Sequence, residues 1–173
     1  MYDTNTGAKS LRILSEVFFY LLFIVILMFL MVGVESSLSM LPSLKGKGNV
    51  VAAFVEETFK TLALIWSAGF ATAFTVIFAS LEMINYCIVV VRKANELPID
   101  YMIFRMICIS VHLITLLVQV YFFQLYQKKK DGTYWLIGYL LAIFIHLLWN
   151  QGLGALFLRA TMFFYKSAVM LLG

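Results

Sequence analysis

The 173-residue chain is 63% hydrophobic and only 13% charged, with a mean hydropathy of +0.95. A soluble domain needs about 25% charged residues to cover its surface, so half that value excludes a water-soluble globule and makes lipid the solvent for most of the chain. The formal charge of +4 is spread over several loops, which fits contact with anionic lipid headgroups and argues against nucleic acid as a partner.

In lipid every spanning segment must satisfy its own backbone polar groups, which leaves helices or closed barrels. Barrel strands read as short alternating segments. Here the apolar runs continue for about 20 residues, enough to cross ~30 Å of hydrocarbon at ~1.5 Å per residue. The predicted fold class is therefore all-α, a polytopic transmembrane bundle of about five helices with room for a sixth, in a single membrane domain over 1–173.

The first span covers 11–33, after a short polar segment. It is too long for the apolar region of a signal peptide and lacks a small-residue cleavage site, so it reads as a retained helix. A polar loop with Pro42, Gly46 and Gly48 follows. Residues 50–91 form an apolar stretch too long for one crossing. They read as two helices, 50–67 and 70–91, reversing tightly at Ser67-Ala68-Gly69, where small side chains permit close backbone approach. Arg92, Lys93 and Pro98 close that hairpin. The fourth span, 100–126, stops at Lys128-Lys129-Lys130-Asp131-Gly132. The fifth, 134–158, opens with Tyr134 and Trp135 at an interfacial position. The tail, 159–173, is apolar but too short to cross comfortably; it can lie in the interface, pack on the bundle or form a partial span. Lys9, Arg12 and the triple lysine on one side nearly balance Lys45, Lys47, Arg92, Lys93 and Arg159 on the other, so the positive-inside rule assigns no orientation. Cys87 and Cys108 fall within spans and read as small packing residues.

Ionisable residues inside a span cost about 2.5–3.5 kcal/mol each at a helix centre and mark functional sites by default. This chain carries Glu56, Glu57 and Lys60 in span 2, Glu82 in span 3, Arg105 and His112 in span 4, and His146 with Asn150 in span 5. Glu56 and Lys60 are one turn apart, as are His146 and Asn150, while His112 shares a face with Thr115 and Gln119. Counted from the span ends on one side, Glu56 lies about 10 Å deep, Asn150 about 12 Å, Glu82 about 13 Å, and His112 and His146 about 18 Å. Alternating topology did not have to bring these groups to one level. A shared polar cavity, wet from one face, is the economical reading. Arg105, near a span end, reads as a snorkelling structural residue.

Paired carboxylates, two histidines, an amide and a lysine suit attack by an activated water on a carbonyl. A carboxylate in low dielectric can act as general base, and His146 with Asn150 can aim donors at an oxyanion. A thiol mechanism through Cys108 and His112 is a minor option.

Four motifs then occur in order on successive helices: EExxK at Glu56-Glu57-Thr58-Phe59-Lys60, FxxxE at Phe78 to Glu82, Arg105 followed by His112 and Thr115, and HxxxN at His146 to Asn150. Together they resemble the PrsW family of intramembrane proteases, and more distantly the CAAX prenyl endopeptidase and bacteriocin-processing (CPBP) families. The resemblance covers roughly residues 50–157. It implies proteolysis of a membrane-associated peptide or protein by glutamate-activated water, in a multi-pass protein of the plasma membrane and without a cofactor. Carried over, Glu56 is the general base and Glu57 assists it or pairs with Lys60. His112 and Glu82 position the water, Thr115 supports them, and His146 with Asn150 forms the oxyanion hole. Three readings compete. One is a Zn²⁺-dependent protease on the same site, which suits His and carboxylate ligands although no HExxH is present. The others are a non-catalytic scaffold that binds peptide or lipid, and a haem protein ligated by His112 and His146.

Overall fold

Charge decides the layout. The computed structural model describes residues 4–94 and 97–160, and these are helical apart from short connections, with no strand among them. The elements are α1 (Thr4–Ser39), a 3-10 turn (Pro42–Leu44), α2 (Gly48–Trp66), α3 (Ala68–Ala94), α4 (Ile99–Lys129) and α5 (Gly132–Leu148). A π-helical turn, Trp149–Leu153, follows α5, and the helix then runs on to residue 160. Four stretches are long and apolar enough to cross a membrane: Ile13–Ser39, Ala68–Lys93, Ile99–Lys129 and Gly132–Ala160. The chain is thus an all-α membrane protein, as its composition requires.

The remaining helix, α2, is the predicted second span and is set apart by Glu56, Glu57 and Lys60. It packs against α1, α3, α4 and α5, and these three charged residues are all buried. The charged face of the helix least suited to lipid is thereby covered by the helices around it, since an exposed charge in hydrocarbon is costly, while Phe54, Leu62, Ile65 and Trp66 of α2 stay exposed. On the side of α2 facing α1 and α3, Ile24, Leu27, Met31, Val55, Leu64, Phe70 and Phe74 form an apolar core.

The connections follow local chemistry. The reversal expected at Ser67 takes a single residue: Ser67 is extended at φ −167° and ψ 155°. Its Oγ accepts a hydrogen bond from Phe70 N at 3.0 Å, the arrangement of an N-cap. Between α4 and α5, Lys130 ends one helix in the left-handed region at φ 58°. The Asp131 carboxylate starts the next by accepting from Thr133 N at 2.9 Å, and that backbone donor holds the Asp131 carboxyl below its ordinary range.

The observed helices overrun several predicted ends. The first helix extends to Ser39 rather than 33, and the fourth covers Ile99–Lys129 rather than 100–126. The extra turns are polar at the membrane surface, where hydropathy no longer reports helix. Of the tail, residues 161–173 lie outside the described residues.

The α4–α5 hairpin closes where Gly138 faces Phe122. A Cβ placed on Gly138 would collide with the Cβ of Phe122, an atom fixed by its backbone, so the two helices would have to separate. Gly33 on α1, by contrast, faces open space. Gly138→Ala is expected to destabilise the purified protein by about 1–3 kcal/mol while Gly33→Ala does not, as read by thermal unfolding in detergent. Equal melting temperatures for the two variants would contradict the close contact.

Candidate functional site

α2, α4 and α5 meet at Glu57. Its side chain is fully buried, yet both carboxylate oxygens are engaged. Oε1 accepts from Lys60 Nζ at 2.7 Å, from Thr115 Oγ1 at 3.1 Å and from His146 Nδ1 at 2.7 Å. Oε2 accepts from Gln119 Nε2 at 2.8 Å. Lys60, also fully buried, spends its other donors on Thr115 Oγ1 at 3.0 Å and His112 Nδ1 at 3.3 Å. Of the two roles open to Glu57, the geometry selects pairing with Lys60. Thr61 Oγ1 extends the network by donating to Gln119 Oε1 at 2.8 Å.

Glu56, one residue earlier and about 100° around the helix, is treated in the opposite way. Its side chain is 7% exposed, and its Oε2 is buried with no hydrogen-bond partner among the described residues. That oxygen lies 3.6 Å from His112 Nδ1 and 3.8 Å from His146 Nε2. The imidazole rings stand edge to face, with centroids 5.1 Å apart.

The partners on the far sides of the rings assign the tautomers. His146 Nδ1 donates to Glu57, and His112 Nε2 donates to Glu82 Oε2 at 2.9 Å. Each ring in this tautomer turns its acceptor nitrogen toward Glu56, that of His112 also accepting from Lys60 Nζ. Glu82 is held in turn by Arg105 Nη2, 3.3 Å from Oε1, and the guanidinium lies 4.0 Å over the Tyr86 ring. Arg105 is buried rather than snorkelling: its ion pair and ring contact draw it inward and correct the sequence expectation. Phe78 packs edge-on against His112, which accounts for the aromatic in FxxxE.

Glu56 and the histidines beside it line a cavity of about 390 Å³. Its walls carry Glu56, Glu82, Arg105, His112, His146 and Asn150. All lie in the halves of their helices nearer the 3-10 turn and the α3–α4 connection, so the cavity belongs to one side, as expected. Asn150 sits on this wall but not in the hydrogen-bond cluster. It falls in the π-helical turn, and its backbone oxygen accepts from Asn49 Nδ2 at 3.3 Å. His146 is engaged by Glu57 through Nδ1, and its Nε2 faces Glu56 at 3.8 Å.

Sequence reasoning missed four participants, of which Thr61 reads as an ordinary helix-face threonine. Gln119 was visible on the face of His112 and Thr115, and as a polar side chain in an apolar span it carried a usable signal. Tyr86 lies one turn beyond Glu82, where it resembles any interfacial aromatic. Glu35 lies past the expected end of the first span yet lines the cavity. No protein-family model, curated protein or solved structure matches the chain.

The buried pair can be tested on its own. Removing one partner of such a pair leaves an uncompensated charge and costs about 3–5 kcal/mol. Lys60→Met is expected to lose that much stability, whereas Glu57→Gln/Lys60→Met recovers a substantial part of it. Unfolding titrations of the purified variants measure both, and strictly additive losses would contradict the pairing.

Proposed function

We propose that the chain is an intramembrane endopeptidase of the PrsW type, hydrolysing a peptide bond in a membrane-associated protein or peptide with a water activated by Glu56. The observation that carries this reading is the convergence of three acceptors: Glu56 Oε2, His112 Nδ1 and His146 Nε2 all lie within 4.8 Å of one another. Lys60 Nζ donates to one of them, His112 Nδ1, and the other two, Glu56 Oε2 and His146 Nε2, lie 3.8 Å apart and repel unless something electropositive lies between them. A water molecule supplies two such hydrogens and presents its oxygen to the open cavity.

In the reaction, Glu56 takes a proton as the water oxygen bonds to the scissile carbonyl carbon. The carbonyl oxygen becomes an oxyanion, for which the Asn150 amide on the cavity wall is the donor in this reading. Collapse breaks the C–N bond, and the proton returns from Glu56, directly or through His146, to the leaving amine. Glu57 and Glu82 do not touch the reacting atoms. Each holds an imidazole by its far nitrogen and so fixes which nitrogen faces the water, while Lys60 and Arg105 hold those two carboxylates.

The same three atoms also favour a second reading, a Zn²⁺ site. Their spacings are near those of ligands around a tetrahedral ion, and a carboxylate behind each histidine is a common arrangement around metals. Glu56, His112 and His146 would hold the ion, which would supply a more acidic bound water. Lys60 argues against it: its ammonium donates to His112 Nδ1, the lone pair that the metal requires, and a fully buried lysine has little room to withdraw.

Glu56→Gln is expected to lower peptide cleavage at least about 10³-fold with no loss of folded yield, measured by mass spectrometry on membrane-anchored peptides. Retained cleavage removes the assignment of the base. Elemental analysis of the active protein is expected to find substoichiometric zinc, with activity resistant to chelators. One zinc per chain with chelator-sensitive, zinc-restored activity would replace the water mechanism by the metal one.

A further inference from the structure

The cavity wall has a charge asymmetry that hydrolysis does not use. Three carboxylates line it, from Glu35, Glu56 and Glu82, against a single guanidinium from Arg105. Arg105 is taken by Glu82, and Lys60, deeper in the bundle, is taken by Glu57. Glu35 is left without a cation among the described residues. Glu56 is more than nine-tenths buried with an unpartnered oxygen, so the cavity's acidity is not simply a solvated surface.

Glu35 is the one charged contribution of α1 to this cavity. It lies one turn beyond Met31, which is 1% exposed, and one turn before the helix ends at Ser39. It therefore faces the bundle at the level of the membrane surface. Its carboxylate is only partly exposed, makes no hydrogen bond or ion pair with a described residue, and lies close enough to Glu82 and Glu56 to be repelled by both. A carboxylate at the cavity mouth, with like charges beside it and no cation of its own among the described residues, favours a cation brought in from outside.

We propose that Glu35 forms a cation subsite at the mouth of the cavity, taking the lysine or arginine side chain that flanks the apolar segment of a membrane-spanning peptide. The peptide's role as substrate rests on the proteolytic reading above; its binding does not. A basic residue at the end of a spanning helix resides at the interface, the depth at which Glu35 sits. Seated there, it positions the adjoining apolar segment across the wall that carries Glu56 and the two histidines.

The test uses the full chain in phosphatidylcholine nanodiscs, whose headgroups carry no net charge. Spanning peptides differ only in one interfacial residue: lysine, norleucine or glutamate. Fluorescence transfer reads binding to the unaltered chain and to Glu35→Gln, Glu35→Lys and Glu56→Gln. The unaltered chain and Glu56→Gln are expected to bind the lysine peptide about tenfold more tightly than the norleucine peptide. Glu35→Gln brings that ratio close to one, and Glu35→Lys favours the glutamate peptide. Equal binding, no binding of any peptide, or a Glu35→Gln chain that keeps the lysine preference overturns the subsite. Cleavage is scored separately on the same samples. Preference without hydrolysis retains the subsite and removes the protease reading; hydrolysis without preference does the reverse.

Discussion

The ion pair between Glu57 and Lys60 is the constraint on which the bundle depends. Both side chains are fully buried on a 19-residue helix that also carries Glu56. Neither charge is tolerable in hydrocarbon, and the pair satisfies only part of its hydrogen-bonding capacity by itself. The remaining acceptor and donor positions must come from other helices. Thr115 and Gln119 on α4 and His146 on α5 supply them, which fixes the distance and rotation of α4 and α5 relative to α2. The apolar helices around it have no comparable demand, since lipid and a neighbouring helix offer their side chains similar surroundings.

The same network separates two adjacent glutamates into different roles. Glu57 is saturated, and its acceptors are filled by groups from three helices. Glu56 points into a cavity beside two imidazoles whose protons face away from it. The polarity of those rings is set at a distance, by Glu57 behind His146 and by Glu82 behind His112. Lys60 and Arg105 in turn hold those carboxylates in place. Each carboxylate–imidazole unit thus has its own cation, and Lys60 also reaches His112 Nδ1 at the edge of the point between the units. Glu56 Oε2 and His146 Nε2 are left there to accept from an incoming hydrogen-bond donor.

Much of this was legible in the sequence because depth is a linear quantity. Counting residues from a span end gives a height at about 1.5 Å per step, and five of the six singled-out site residues do come together at one level, with Asn150 on the adjoining wall. The Ser67 reversal was equally readable, because an apolar run of that length has to turn and the small residues mark where. Rotation about a helix axis is different. Nothing along α4 alone says whether Arg105 turns outward to the interface or inward to Glu82; the answer depends on where α3 places its carboxylate. The departure at Asn150 has a similar origin. HxxxN implies one regular turn, but the turn is π-helical there, and Gly154 closes it by donating its N–H to the Trp149 carbonyl. A side chain on Gly154 would crowd that carbonyl.

The first helix was the least legible, because its sequence reads as a plain hydrophobic anchor over most of its length. Its inward face is nonetheless specific: Ile24, Leu27 and Met31 enter the core at spacings of three and four residues, and the next position on that stripe is Glu35. An apolar stripe that ends in a carboxylate, on the face turned toward a charged cavity, is difficult to explain as anchoring. A lipid-facing glutamate would gain nothing from that face, and a structural one would be expected to meet a cation there. The cations nearest the cavity are already committed to other carboxylates. The wall that α1 adds is therefore acidic and unsatisfied at the surface and apolar beneath. That order of surfaces complements a chain segment whose charged residue sits at the membrane boundary and whose apolar residues follow it inward.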